Sequence, residues 1–127
     1  MIKCYSKATP FETEFTNGAY TATADAPKEK GGGDAGFRPL ELLEAALGGC
    51  INIWLRVYAA SHAIPLTGIV TEVTADRQTP GETAFHYALE LQGPITAEQR
   101  QELNQAVHSC PVHQALSGKI SFNCTSA

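Results

Sequence analysis

The sequence predicts an α+β fold in which short antiparallel strands surround one long apolar helix. Three observations carry that prediction. Strand-like segments flank Asn17-Gly18, an apolar stretch of helical length runs over residues 39–60, and an alternating strand at 83–92 precedes a helix that opens on a capping box. At 127 residues the chain fits a single domain spanning 1–127. A domain of this size buries only about two-thirds of the surface its unfolded chain exposes, so association with a second copy would help its stability.

The elements follow in order. Residues 11–16 and 19–24 read as strands joined at Asn17-Gly18, a pair that favours the two positive-φ positions of a type I′ hairpin turn. Residues 28–36 (KEKGGGDAG) are polar and glycine-rich and read as a mobile loop. They lack the Lys-Ser/Thr that a phosphate-binding loop uses. Pro39 suits the first turn of a helix. From there to Ala60 the chain is apolar nearly all round, through Leu42, Leu43, Leu47, Ile51, Trp54, Leu55 and Tyr58. Such a helix belongs at the centre of a fold, covered on most sides. Gly48 and Gly49 cost it roughly 1 kcal/mol each relative to Ala, which implies the close approach of another helix or backbone.

After Pro65, residues 67–75 are rich in strand formers and 78–83 (QTPGET) form a turn. In 83–92, Phe85, Tyr87, Leu89 and Leu91 fall on one face and His86, Ala88, Glu90 and Gln92 on the other, a strand with one wet face. Thr96 and Gln99 have capping-box spacing. Leu103, Ala106, Val107 and Cys110 follow at helical spacing, which places Cys110 on the apolar face of that helix. Pro111 breaks or kinks it, and Val112, Ala115 and Leu116 continue it as far as Gly118. Ile120, Phe122 and Cys124 alternate as a last strand. There is no internal repeat.

Composition excludes several classes. The net charge is −4 and no run of Lys or Arg offers the basic face that nucleic acid requires. Ile2-Lys3-Cys4-Tyr5 leads straight into polar residues, unlike a secretory leader. The apolar region 40–60 approaches bilayer length, but Glu41, Glu44 and Arg56 leave only 45–55 free of charge, so a buried helix is expected and no membrane partner. The four cysteines, Cys4, Cys50, Cys110 and Cys124, include no CxxC pair. A secreted disulfide scaffold is cysteine-dense around a weak core. This chain is neither, so a reducing, cytoplasmic setting is expected.

Cys50 follows Gly48-Gly49 and Cys110 precedes Pro111, about sixty residues apart. Both positions suit a protected thiol pair, yet a buried Cys often serves simply as a small hydrophobe, and spacing alone does not separate the two. His108, Cys110 and His113 are of zinc-ligating types. Pro111 between them and the lack of a fourth ligand weigh against a site, and neither a metal nor a bound cofactor is expected. His113 is a candidate neighbour for a thiolate. Glu41 is a candidate anchor for an arginine, with Arg38 the nearest one, although a first-turn carboxylate favoured by the helix dipole explains Glu41 equally well. A Cys–His hydrolase has no support beyond the residue types. Cys4 and Cys124, near the ends, read as structural or incidental.

The segment PLELLEAALGGC at 39–50 resembles the Pro-x-Glu-Leu-Leu-x-Ala-Ala-x-x-x-Cys helix of the OsmC/Ohr family of cysteine-based peroxidases, in its Gly-Gly-Cys form. Cys110-Pro111-Val112-His113 resembles the family's second motif, and the order of elements agrees over nearly the whole chain. The resemblance implies an OsmC-like fold, an intertwined homodimer with antiparallel sheets enclosing the two central helices and a site at the interface. It implies that Cys50 is the peroxidatic residue and Cys110 the resolving one, acting on a small organic hydroperoxide. An external dithiol or dihydrolipoyl reductant would then restore the thiols. One feature departs from the pattern. The family holds an arginine from an N-terminal strand with a Glu ten residues before the first Cys. Here that position is Leu40, and no arginine precedes Arg38. Glu41 and Glu44 lie about 100° and 40° from that position around the helix. The departure favours a second expectation, a non-enzymatic protein that binds a small apolar or sulfur-containing ligand in the dimer cavity with the thiols as a redox latch.

Overall fold

In the computed structural model, which describes residues 1–125, three short strands open the chain. They are β1 (Lys3–Ser6), β2 (Thr13–Thr16) and β3 (Thr21–Ala24), antiparallel in the order β1-β2-β3. β-Branched Thr13, Thr16, Thr21 and Thr23 suit the pleated backbone, and Phe15 stands opposite Cys4 on one side and Ala22 on the other. The expected hairpin is present, but its turn differs. Thr16 pairs with Thr21, so four residues form the loop, and of Asn17 and Gly18 only Gly18 has a positive φ, +97°. The Asn17 side chain does the turning: its Oδ1 accepts from the N–H groups of Ala19 and Tyr20 at 2.9 and 2.8 Å.

The glycine-rich segment is more organised than its composition implies. A single 3-10 turn, Lys28–Lys30, ends at Gly31 with φ +89°. The chain then folds back around Asp25, which is 3 % exposed. Its carboxylate accepts from the N–H groups of Ala26, Gly33 and Ala35 at 2.7, 3.1 and 3.1 Å. A Cβ on Gly32 would overlap the carbonyl of Ala26, and one on Gly36 the carbonyl of Thr23, so backbone passes directly against backbone there. All of this belongs to a compact unit, Met1–Leu43; a second compact unit begins at Glu44.

Helix α1 (Pro39–Ser61) starts in the first unit and supplies the spine of the second. Its stripe of Leu47, Ile51, Leu55 and Ala59 is buried, while Ile53 and Val57 are 69 % and 58 % exposed. Within one chain the helix is therefore covered along a stripe and not on most sides. By length and composition it could also cross a bilayer (23 residues, hydropathy 1.2). Its buried stripe packs with Leu91, Leu103 and Val107 as a core helix does. The expected approach of another helix or backbone is not found at either glycine: a Cβ on Gly48 would lie 3.2 Å from the side-chain atom Val73 Cγ2, and nothing among the described residues lies within 4 Å of one on Gly49.

β4 (Gly68–Asp76) and β5 (Ala84–Gln92) form an unbroken nine-residue antiparallel ladder, from Gly68 opposite Gln92 to Asp76 opposite Ala84. Phe85, Tyr87, Leu89 and Leu91 turn inward as the alternation requires. The Glu44 carboxylate accepts from Ala75 N–H at 2.8 Å, and Thr71 donates to Asn52 at 2.6 Å, tying α1 to β4. Helix α2 (Ala97–Ala106) starts on the full capping box, with Thr96 and Gln99 each accepting from the other's backbone N–H. It buries Leu103 and Ala106, with Val107 just beyond.

Two expectations fail after this helix. Cys110 is not on a helical face: α2 ends at Ala106, a 3-10 turn occupies Val107–Ser109, and Cys110 (φ −59°, ψ 129°) is the extended residue before α3 (Pro111–Ser117). Pro111 cannot continue the hydrogen-bond ladder but is pre-set for the first turn of a new helix. The last strand is also absent among the described residues. Residues 119–125 are exposed, Phe122 at 93 %, and have no strand conformation among the described residues.

Candidate active site

The second unit brings together the two cysteines singled out in the sequence. Cys50 lies on α1, one turn beyond Leu47 and one before Trp54; Cys110 lies between α2 and α3. Their sulfurs are 2.7 Å apart, with Cys110 Sγ donating to Cys50 Sγ. Both are free cysteines, close together in the fold. Their surroundings differ. Cys50 is half-buried, whereas Cys110 is wholly buried beside Leu103 and Val107. Burial, and then the Cys50 sulfur, push the Cys110 thiol above its ordinary pKa, while the main-chain N–H groups of His113 and Val112 pull the other way. The geometry thus gives one accessible sulfur and one protected partner.

Two hollows in this unit are lined by residues near the two cysteines in sequence, though by neither cysteine itself. One, of about 230 Å³, is lined by Leu47, Thr83, Phe85, Tyr87, His113, Leu116 and Ser117. Its walls come from the inward face of β5 and from the turns flanking the two cysteines. The other, of about 250 Å³, runs between α1 and α2 past Trp54, Tyr58, Glu102 and Ser109. Here Trp54 Nε1 donates to Ala106 O at 2.8 Å, and Tyr58 donates its hydroxyl hydrogen to Glu102 Oε1 at 2.8 Å. That bond to Glu102, with burial second, holds the Tyr58 hydroxyl protonated above its ordinary pKa. Sequence reasoning missed this second hollow, although Trp54 and Tyr58 follow Cys50 at intervals of four residues and so share its side of the helix.

The remaining candidates have other partners. The His113 imidazole packs edge-on against Tyr87 and His108, with ring centroids 6.3 and 5.2 Å apart. Ser117 donates its hydroxyl to the His113 carbonyl. In the first unit Arg38 pairs with Asp34 at 2.8 Å and donates to Gly36 O at 3.2 Å. Glu41 accepts from the Arg38 backbone N–H at 2.7 Å, the bond of a helix cap and not an ion pair. Arg38 and Leu40 also line a larger apolar hollow of about 830 Å³ in that unit, with Ile2, Cys4, Phe11 and Phe15. Cys4 and Cys124 are exposed.

The family profile described as OsmC-like protein matches residues 31–125. Solved structures share the fold. An OsmC-like protein from Mycoplasma pneumoniae superposes with a TM-score of 0.79 at 21 % identity, over 93 % of this chain and 86 % of that one. An organic hydroperoxide resistance protein OsmC from Legionella pneumophila gives 0.67 at 22 % identity, over 93 % and 88 %. An organic hydroperoxide resistance protein from Elizabethkingia anophelis gives 0.66 at 21 % identity, over 92 % and 86 %. At these identities the likeness is one of fold. No curated protein matches the chain.

Proposed function

The chain belongs to the OsmC-like protein family, and from that premise we propose that it reduces small organic hydroperoxides through Cys50 and Cys110. The observation that carries this reading is the thiol pair itself, with sulfurs 2.7 Å apart and only Cys50 open to a reactant. The Cys50 thiolate attacks the outer oxygen of the hydroperoxide. The O–O bond breaks, the alkoxide leaves as the alcohol after taking a proton, and Cys50 becomes a sulfenic acid. Cys110 then attacks that sulfur and releases water, and the disulfide forms between sulfurs that already lie close together. An external dithiol, such as a dihydrolipoyl group, returns both thiols. The hollow of Leu47, Phe85, Tyr87 and Leu116 would take the organic group, which favours organic hydroperoxides over hydrogen peroxide.

The working form in this reading is a homodimer in the cytoplasm. Ile53 and Val57 on α1, Phe11 and Leu40 in the first unit, and Ile120 and Phe122 near the end are all exposed, and a second copy would cover them. Sedimentation at micromolar concentration should give twice the chain mass. With a dithiol present, the protein should consume an aromatic or fatty hydroperoxide faster than hydrogen peroxide, and Cys50→Ser should abolish the activity. No consumption of any hydroperoxide by fully reduced protein between about pH 6 and 9 would overturn the enzymatic reading.

One observation favours a second reading. Arg38 and Glu41 do not form the family's activating ion pair with each other, because Arg38 is paired with Asp34. A thiol pair without that ion pair, in a unit that also holds an apolar hollow, suits a binder of small apolar or sulfur-containing ligands. A ligand bound without turnover would decide for it.

A further inference from the structure

We propose that Cys110 acts before the disulfide forms: its S–H is the hydrogen-bond donor that holds the Cys50 thiolate, so the working pair carries one proton, kept on Cys110. This role rests on the redox reading of the pair. It gives Cys110 a part in the first half-reaction, where that reading gives it none.

A reactive thiolate needs a cation or a hydrogen-bond donor beside it. Cys110 Sγ, at 2.7 Å, is the one side-chain donor to Cys50 Sγ among the described residues. The charged groups on the surrounding elements are engaged elsewhere or exposed. On α1, Glu44 accepts from Ala75 N–H and Arg56 donates to Thr67 O. On α2, Glu102 accepts from Tyr58, while Glu98 and Arg100 are exposed. After α2, the His108 and His113 rings pack edge-on against each other, and His113 also against Tyr87 of β5. On the outer face of the β4–β5 ladder, Glu72 is exposed, Glu90 accepts from Gln92, and His86 pairs with Asp76. None of these cations is bonded to either sulfur.

The two ends of the S–H···S bond are not interchangeable. Cys110 has no exposed surface, whereas Cys50 is half-buried. Charge is better placed on the sulfur that water reaches, and the proton on the one it does not. Burial first, and then the Cys50 sulfur, accordingly raise the Cys110 pKa, against the pull of the His113 and Val112 N–H groups. Once one sulfur is charged, a second negative charge 2.7 Å away is resisted, so the pair gives up its protons in two separate steps.

The retained proton can be followed through the cycle. The Cys50 thiolate takes the outer oxygen of the hydroperoxide, the O–O bond breaks, and the alkoxide takes a proton from solvent. Cys50 is then S–OH, the hydroperoxide has been reduced by two electrons, and Cys110 is still S–H. The Cys110 sulfur bonds to the Cys50 sulfur as the S–O bond breaks, and the hydroxyl leaves with the Cys110 proton as water.

The test needs no hydroperoxide. Reduced protein is treated briefly with iodoacetamide, which alkylates thiolates. Labelling of Cys50 is read by peptide mass spectrometry against the exposed Cys4 of the same molecule. Cys110→Ala and Cys110→Val both remove the donor, and Val, which fills the buried space, serves if Ala does not fold. At pH 7 both should label Cys50 roughly three- to tenfold more slowly than the wild type. Cys110→Ser keeps a donor and should recover most of the rate. The deficit should close by about pH 10.5, where thiols are ionised with or without a donor. Equal labelling at pH 7 in a folded Ala or Val variant would overturn the donor role and leave the peroxidase reading standing. A deficit that persists unchanged at high pH would overturn it too, because access and not ionisation would then have changed. A wild type that shows the donor effect yet consumes no hydroperoxide would support the shared proton and remove the peroxidase reading instead.

Discussion

Replacing Cys110 by Ala and by Ser separates the packing role of this residue from its chemistry. Cys110 has no exposed surface and belongs to the buried core cluster that includes Leu103 and Val107. Ala deletes about one methylene equivalent of buried volume, which costs about 1 kcal/mol. Ser leaves a hydroxyl in the same place with poorer partners, at about 1–3 kcal/mol. For a domain of this size each kcal/mol lowers Tm by about 3–6 °C. Both variants should therefore fold and melt below the wild type, with Ser the lower. Both should also form the Cys50 sulfenic acid on treatment with a hydroperoxide, which a dimedone-type reagent traps and mass spectrometry locates. Turnover with a dithiol should fall at least tenfold in both. The pH dependence adds a check. The Cys110 pKa in the folded protein is raised above its ordinary 9.0, chiefly by burial. The stability contributed by the neutral thiol is therefore complete below pH 9 and is lost as pH rises through the folded value. Melting curves of reduced wild type should show this alkaline loss and those of Cys110→Ala should lack it. Turnover of Cys110→Ala at the wild-type rate would refute the reasoning, because the sulfenic acid would then be reduced without a second thiol.

Two further predictions concern the scaffold. Thr96→Ala removes one half of the capping box of α2 and should cost about 1 kcal/mol in denaturant unfolding, with α2 the first helix to lose amide-exchange protection. A stability equal to the wild type would mean that the cap is redundant. Asp25 has its pKa lowered below 3.8, chiefly by the N–H of Ala35 with Ala26, Gly33 and Arg38 assisting. Its stabilising effect is present above that ordinary value and is lost as pH falls through the folded one. Melts between about pH 6 and 2 should show the loss in the wild type and a flatter profile in Asp25→Asn, which should be less stable at neutral pH. Parallel acid profiles would contradict the assignment.

Much of the fold was legible because its signals are local. The alternation of Phe85, Tyr87, Leu89 and Leu91 set one strand face, Thr96 and Gln99 marked the start of α2, and Pro39 marked the start of α1. Each depends on neighbours within a few residues. The failures have a common cause, which is dependence on something outside the segment. Asn17-Gly18 signalled a hairpin correctly, but the register at Thr16 and Thr21 made the loop four residues long and gave the turn to the Asn17 side chain. Helical periodicity carried Cys110 onto a helix that had already ended. The alternation of Ile120, Phe122 and Cys124 says nothing about whether an edge exists to pair with them. At the thiol pair, the sequence showed two cysteines with special neighbours, and the family resemblance gave them roles. The proximity of the sulfurs and the groove at Trp54, Tyr58 and Glu102 emerged only once α1, α2 and α3 were placed.

The segment around Asp25 and the turn between β4 and β5 differ in how they would accept foreign sequence. Between Ala24 and Phe37 the chain is locked by three N–H bonds to Asp25 and by two glycines pressed against carbonyl groups. A residue inserted there would have to undo all of these at once. The turn between β4 and β5 is the opposite case. Its residues are exposed, nothing among the described residues lies within 4 Å of a Cβ placed on Gly81, and a nine-residue ladder joins the strands it connects. An epitope tag or a fluorophore attachment point belongs at that tip, before Thr83, which lines the hollow with Leu47, Phe85 and Tyr87.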